Sequence, residues 1–299
     1  MDWYLVRYFL AVAELGNFTR AAAQMNVTQP TLSAGIAKLE VLTGQRLFER
    51  DKRRVSITAA GSRFLPHARR IANEYTAALD EMSQTPKARR LRLGVLASIP
   101  TGFIEAAIQS HVQARPVELI EQVELIEGVE RDLRARLEEN RLDAALTIIN
   151  AGERFEHEPL GWEDYVLIVP AMHRLARVPV IRAEELAQDV MIIRRHCEVL
   201  AATSRYFTER GVRPRFGLKT LNDDRALAMV RAGLGVTVVP ESFFGPGLRQ
   251  IGLADFDLRR QIGLLYAGQS QVSAAQSPFI GALRDAYARR QDERLTWLR

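Results

Sequence analysis

Between Thr28 and Lys38 the chain sets out side chains able to read a nucleic-acid base. Thr28 has the chemistry of a helix cap. Pro30 is tolerated in the turn that follows, because the amide it lacks would be unpaired there anyway. Leu32, Ile36 and Leu39 recur at helical spacing and give this helix an inward face. Its outward side chains then include Gln29, Thr31, Ser33, Ala34 and Lys38. Gln pairs two-pronged with adenine, Ser suits either member of a pair, and the methyl of Thr or Ala meets a thymine methyl. Arg20, Lys38 and the amides near Phe18 and Thr19 suit phosphates. Arg53 and Arg54, at a predicted hairpin tip, suit a backbone or a minor groove. The alternative is a helical trio with a solvated face and no nucleic acid.

A second set of chemistry-bearing residues follows predicted strands in the rest of the chain. Ala97-Ser98-Ile99-Pro100-Thr101, Glu127-Gly128-Val129, Thr147 and Ile149 follow the first three. Further on, Arg194-Arg195-His196-Cys197-Glu198 leads into a predicted helix, and Asn222-Asp223 opens another. In α/β lobes, ligands bind beyond the carboxyl ends of strands, where helix N-termini aim their amides. Hydroxyls beside such amides favour an organic anion, a carboxylate for example. The plain alternative at each Ser or Thr is capping alone. Cys197 has two readings. Arg194, Arg195, His196 and a helix start could lower its thiol pKa, or it is a partly buried structural cysteine. Being the only cysteine, it has no intrachain disulfide partner.

The elements that must position these residues read as follows. Helices are expected over 3–15, 18–25, and from Thr28 to Gly44. Short strands at 47–48 and 55–57 flank the basic Asp51-Lys52-Arg53-Arg54. Thr58 caps a long helix to about Ser83, with Pro66 near its start. Leu65, Ala68, Ala72, Tyr75, Leu79 and Met82 are spaced 3, 4, 3, 4 and 3 apart along it, a heptad seam suited to a dimer. After the hinge-like 85–90 the pattern alternates. Strands are expected at 91–96, 117–126, 142–149, 165–169, 190–193, 215–218, 236–239 and 262–266. Helices are expected at 101–113, 130–139, 198–209, 223–232 and 278–289. Such alternation implies α/β lobes with parallel sheet, and two sets imply two lobes with a cleft between them.

Charge placement supports this division. Of 299 residues, the first 90 hold 14 Lys and Arg against 8 Asp and Glu, and the rest hold 27 against 28. The whole excess of +5 therefore sits in the first third, as in a polyanion-binding module joined to a near-neutral body. No apolar run approaches the ~20 residues of a membrane span, and the first residues lack a secretory pattern. With one cysteine, the expected compartment is the cytoplasm. The five histidines (67, 111, 157, 173 and 196) show no metal-ligand spacing. No phosphate-loop or dinucleotide motif occurs. No enzyme activity, metal or cofactor is expected.

Phe18-Thr19-Arg20-Ala21-Ala22, Val27 through Ser33, Ile36, Leu39-Glu40, Gly44, Arg46 through Arg50 and Thr58-Ala59-Ala60-Gly61 together resemble the signature of LysR-type transcriptional regulators. Leu142 through Leu146, His173-Arg174-Leu175-Ala176, and Ala232-Gly233-Leu234-Gly235 through Pro240 resemble motifs of that family's effector domain. The resemblance spans the chain in family order. It implies a winged helix-turn-helix over 1–58, a linker and dimerisation helix over 59–86, and a two-lobed, periplasmic-binding-protein-like α/β effector domain over 87–299. Lobe I would cover about 91–160 and 267–299, lobe II about 161–266. It implies double-stranded promoter DNA, a small-molecule co-inducer and a second copy of the chain as partners, with tetramers and RNA polymerase as further expectations. It places effector contacts near Ser98, Thr101, Gly128, Thr147, His196 and Asn222, with Ile149 and Cys197 beside them. In peroxide-sensing members a reactive cysteine occupies a similar His-Cys context. One departure is Ala34-Gly35, where the family often has a polar or basic residue after the serine. Gly inside a helix costs ~1 kcal/mol relative to Ala, so the recognition helix is expected to be weakened there and short of one contact.

Overall fold

The computed structural model describes residues 2–51, 54–82, 90–114, 121–268 and 270–297. The chain divides into two compact units, Met1–Lys87 with Ala135–Arg141, and Ala88–Arg134 with Leu142–Arg299.

In the first unit, α1 (Trp3–Leu15) stops at Gly16, whose φ of 57° is left-handed. Asn17 then starts α2 (Phe18–Gln24) by accepting the Arg20 amide at 2.9 Å. Thr28 starts α3 (Gln29–Thr43) by accepting the Thr31 amide at 3.3 Å. Each cap satisfies an amide that the helix itself leaves open. Strands β1 (Phe48–Asp51) and β2 (Arg54–Ile57) form an antiparallel hairpin with Phe48 opposite Ile57. The Glu40 carboxylate accepts the amides of Leu47 (2.8 Å) and Phe48 (3.3 Å), which fixes this wing to the end of α3. Leu5, Phe9, Val12, Leu32, Ile36 and Leu39 form the core. Full burial of such side chains contributes about 1.5–3 kcal/mol each.

Thr58 caps α4 (Ala59–Met82) through the Gly61 amide at 2.9 Å. A Cβ at Gly61 would lie 2.3 Å from the Leu47 carbonyl oxygen, so only glycine lets this helix approach the wing. Along the heptad seam, Ala68 is buried in the core, and Tyr75 stacks on Trp3 with centroids 4.2 Å apart. Leu79 (53% exposed) and Met82 (81%) face water.

Gly35 corrects the expectation of a weak spot. It is buried, and a Cβ there would lie 2.6 Å from Tyr8 Cδ2. The glycine is the groove into which the α1 tyrosine packs.

The rest of the chain begins with β3 (Arg90–Leu96), α5 (Thr101–Gln113), β4 (Gln122–Gly128), α6 (Glu130–Glu138), whose last residues cluster with the first unit, β5 (Ala144–Ile148) and β6 (Glu156–Pro170). It continues with β7 (Val180–Ile181), β8 (Val190–Arg194), α7 (Leu200–Glu209), β9 (Arg215–Thr220), α8 (Asp223–Arg231) and β10 (Thr237–Pro240). Last come β11 (Leu248–Leu253), β12 (Arg259–Tyr266), α9 (Gln271–Ala275) and α10 (Pro278–Trp297). The main sheet runs β4-β3-β5-β12-β6-β11-β7, with β10 also on β6, while β8 and β9 form a parallel pair.

The sheet is mixed, whereas alternation alone predicted parallel strands. β3 lies parallel to β4 and β5, but β12 runs antiparallel to both β5 and β6. The reason is the path of β6. Residues 156–164 pair with β12, and residues 165–170 pair with β10 and β11. One strand thus serves both lobes. β12 returns the chain and joins the first lobe's sheet, so residues 259–266 belong there by hydrogen bonding rather than with the second lobe. In the second lobe β6 alternates: Tyr165, Leu167 and Val169 enter one core with Tyr206 and Phe207, and Ile168 enters another with Ala226 and Val230.

Replacing Gly35 by Ala tests the packing account. Helix propensity alone predicts a gain of ~1 kcal/mol. The clash with Tyr8 predicts a net loss of about 1–3 kcal/mol. Chemical denaturation of the full chain followed by circular dichroism decides between them.

Candidate functional site

α3 presents Gln29, Pro30, Thr31, Ala34 and Lys38 to solvent, with Ser33 half-buried. Thr28 is exposed too, but its hydroxyl works as the cap and lies 2.8 Å from the Thr31 hydroxyl. Thr19 and Arg20 stand exposed at the start of α2. Two expected contacts change. The Phe18 ring is buried against Phe48, so this residue can offer only its backbone to a phosphate. The Lys38 ammonium lies 2.7 Å from Asp2 Oδ2 and 3.3 Å from the Tyr4 hydroxyl. These hydrogen bonds and the charge of Asp2 hold the Lys38 pKa above its ordinary value and the Asp2 pKa below its own. Lys38 therefore ties α3 to the N-terminus, and a phosphate has to compete for it. Arg53 lies outside the described residues, and of Arg54 only the backbone, in β2, is described.

The second unit gathers its polar groups where β6 passes from one lobe to the other. Arg260, on β12, is fully buried. Its Nε donates to Glu163 Oε2 (2.8 Å), its Nη1 to Ser98 Oγ (2.7 Å) and Glu198 Oε1 (3.1 Å), and its Nη2 to the Ser98 carbonyl (3.1 Å). Ser98 Oγ also donates to Glu198 Oε1, and the Tyr165 hydroxyl donates to Glu198 Oε2 at 3.1 Å. Burial opposes the guanidinium charge, but Glu163 and Glu198 outweigh it and hold the Arg260 pKa above the ordinary value. Burial and the neighbouring Glu198 raise that of Tyr165. Glu198 thus fastens the segment before α7 to the first lobe.

A second fastening lies beside it. Thr101 Oγ1, at the start of α5, donates to Asp224 Oδ2 of α8 at 2.7 Å. Within the second lobe Arg194 pairs two-pronged with Asp223, Nε to Oδ1 at 2.7 Å and Nη2 to Oδ2. His196 Nε2 lies 3.3 Å from Asp223 Oδ1 without hydrogen-bond geometry.

The structure thus brings Ser98 and Thr101 to the seam between the lobes, with hydroxyls already engaged by carboxylates. Asn222 caps α8 by accepting the Arg225 amide at 2.7 Å. Thr147 is buried in β5, its hydroxyl unpartnered among the described residues. Ile149 packs where Gly263 leaves room, and Gly128 makes space for Leu133. Sequence reasoning missed Arg260, Glu163 and Tyr165 as members of this cluster. The available signal was an arginine at the head of the apolar run Ile262 to Tyr266.

The setting of Cys197 favours the thiol over the thiolate. α7 starts at Leu200, so the thiol is not at its first turn. Arg194 is spent on Asp223. Burial dominates and pushes the thiol pKa up; Arg194 opposes it and Glu198 adds to it.

A small helical domain that displays one helix beside a hairpin wing, followed by a two-lobed α/β body closed at a polar seam, defines a DNA-binding regulator with a sensor domain. Residues 3–62 match the bacterial regulatory helix-turn-helix proteins of the lysR family, and residues 84–288 match the LysR substrate binding domain. The chain belongs to the LysR family of transcriptional regulators. It is 31% identical over 297 residues to YnfL, an uncharacterized HTH-type transcriptional regulator of Escherichia coli, covering 92% of this chain and 95% of that one. It is 33% identical over 278 residues to a probable hydrogen peroxide-inducible genes activator of Mycobacterium avium, covering 89% and 88%. Among solved structures, full-length OxyR from Pseudomonas aeruginosa shares the fold with a TM-score of 0.69 at 22% identity, over 96% of this chain and 94% of that chain. Full-length CbnR, solved with its target DNA, gives a TM-score of 0.58 at 20% identity, over 97% and 100%. The family and these relatives are regulators, not enzymes. Among the described residues no helix is long and apolar enough to cross a membrane.

The thiol geometry carries its own consequence. Iodoacetamide at neutral pH is expected to label Cys197 far more slowly in the folded chain than in urea, as mass spectrometry would record. Equal rates would mean the thiol is accessible and ionised.

Proposed function

We propose that this regulator reads promoter DNA with the exposed face of α3 and answers to a small organic anion that takes the place of the Glu198 carboxylate. The observation that carries the second half is the sharing of Arg260. Glu163 already balances its charge, so Glu198 is a second carboxylate on one guanidinium. An incoming carboxylate at Ser98 and Arg260 leaves the local charge unchanged. It releases the segment before α7 from the first lobe, and the lobes then settle differently. Thr101, Gly128, Thr147, Ile149, His196, Cys197 and Asn222 would surround the rest of the ligand.

On the DNA side, Gln29, Thr31, Ser33 and Ala34 would meet base edges. Thr19, Arg20, the Phe18 amide, Thr28, Pro30 and, after leaving Asp2, Lys38 would face the backbone, with Arg53 and Arg54 at the wing. The basic first third supports this reading, as does the relation in fold to CbnR, a protein solved with its target DNA. The exposed Leu79 and Met82 support dimerisation through α4. The open sheet edges of β4 and β9 carry exposed Leu125 and Phe216, which a further copy would cover in a tetramer. At a promoter the next partner is RNA polymerase, and the compartment is the cytoplasm.

Gel shifts on DNA upstream of the gene, in a salt series, test the DNA reading. Specific sites are expected to show dyad symmetry. Replacing Gln29 by Ala is expected to cost about 1–3 kcal/mol at the cognate site and far less on competitor DNA. An equal loss on both would reassign Gln29 to the backbone.

Thermal shifts with a panel of carboxylates, amides and amines test the effector reading. Glu198→Gln removes the competing charge and is expected to tighten carboxylate binding about tenfold. Stabilisation by amides and amines alone would sink the anion.

A further inference from the structure

The helix α3 brings DNA a single cation. Among residues 29–43 the only Lys or Arg is Lys38. The one acid there, Glu40, is engaged with the amides of Leu47 and Phe48. In the free chain the cation is already taken. Lys38 Nζ lies 2.7 Å from Asp2 Oδ2, 3.3 Å from the Tyr4 hydroxyl and 5.7 Å from the centre of the Tyr4 ring. The side chains of Asp2 and Lys38 are half-exposed, so the pair stays within reach of an outside anion.

α1 holds the two partners of Lys38 in place. The Leu5 amide donates to the Asp2 carbonyl at 3.1 Å, which sets Asp2 at the head of the helix. Tyr4 meets Tyr8 edge to face, with centroids 5.5 Å apart, and Tyr8 packs into the groove at Gly35 of α3.

Asp2 forgoes its ordinary role to do this. It holds the N-cap position of α1, with extended backbone. Asp is a preferred cap because its carboxylate accepts an amide that the first turn leaves open. Asn17, Thr28 and Asn222 cap their helices in this way, whereas the Asp2 side chain makes no cap bond. Its carboxylate is turned to Lys38 instead. A second use therefore lies beside it. On losing Lys38 it can cap α1, where the helix dipole also favours its charge. A phosphate can then take Lys38 without stranding the carboxylate.

We infer that Asp2 is an internal substitute for a DNA phosphate. It occupies the cation of α3 in the free chain and yields it to the DNA backbone, so the head of α1 limits sequence-independent affinity. This rests on the reading that α3 faces DNA. Phosphate contacts supply non-specific binding, and a cation that must first be released contributes less to it. A base contact such as that of Gln29 involves no such exchange. The pair thus weights recognition toward base edges.

Fluorescence anisotropy of the full chain, with no tag at its N-terminus, on a random-sequence duplex in a salt series tests this. Asp2→Asn is expected to tighten binding about two- to fivefold at low salt, with the gain fading as salt rises. Tyr4→Phe keeps the ring and removes one hydrogen bond, and a smaller gain in the same direction is expected. Lys38→Ala should weaken the Asp2→Asn chain more than the wild type, and lower its salt slope by about one. Melting followed by circular dichroism should change little, since the pair is exposed. No gain from Asp2→Asn overturns the inference. So does a gain of equal size in the presence of Lys38→Ala, which would make Asp2 only a negative charge near DNA. A lower melting temperature without tighter binding would make the pair a structural tie and also overturns it. If Gln29→Ala acts at the cognate site and Asp2→Asn does not tighten binding, the phosphate substitute fails alone. If neither acts, the reading of α3 fails with it.

Discussion

Arg260 is a guanidinium removed from water and held by groups from three separate stretches of chain. Such a charge is tolerated only when its donors are matched. Here Glu163 supplies one carboxylate, Glu198 a second, and Ser98 both its hydroxyl and its carbonyl. Removing one partner of such a buried pair typically costs about 3–5 kcal/mol, because the other charge stays behind. The cluster thus fixes β12 to β6 and both to the loop after β3. Its attachment to the segment before α7 is different in kind. That attachment runs through a carboxylate, and a carboxylate can be replaced by another without leaving the guanidinium unpaired. A seam made of interlocked leucines has no equivalent substitution. The proposed exchange of a ligand for Glu198 rests on this polar closure.

The DNA-reading unit follows the opposite logic. Its three helices meet over fully buried Leu32, Ile36 and Leu39, and Gly35 admits the Tyr8 ring at a distance no other residue allows. Glu40 holds the wing through two amides. Nothing in that core can exchange partners, so α3 is presented as a rigid surface. The few side chains that project from it are the ones proposed to read bases. The absence of a long polar residue at position 34 is then a matter of readout and not of helix stability.

Local chemistry was legible in the sequence, and pairing at a distance was not. The caps at Asn17, Thr28 and Asn222 were visible because a cap acts within three residues of itself. The heptad of α4 was visible for the same reason. β6 was read only from Tyr165 onward. Its first half, Glu156 to Asp164, lacks an apolar alternation, because this stretch serves polar contacts such as Glu163 with Arg260 and Glu158 with Arg284. β11 was passed over because Arg249 and Gln250 interrupt it. Gly35 was read by propensity, and the ring that needs it lies 27 positions away in another helix. The bond from Arg260 to Ser98 spans 162 positions, beyond any window in which spacing carries information. The hydroxyl at Ser98 was therefore identified, but not the groups that already occupy it.

The same distinction separates likeness of fold from likeness of chemistry. The chain superposes on OxyR over nearly its whole length, and a relative of similar length carries a name tied to hydrogen peroxide. A thiol sensor needs a thiolate, and a thiolate needs neighbouring positive charge or open amides. Around Cys197 burial outweighs the charge of Arg194, which is shared with Asp223, and the next residue is the carboxylate of Glu198. The Glu198 carboxylate that holds Arg260 also places negative charge beside Cys197 and disfavours its thiolate. A shared fold therefore does not carry a relative's thiol chemistry to residues 194–198, whose charges are set by this chain's own pairing.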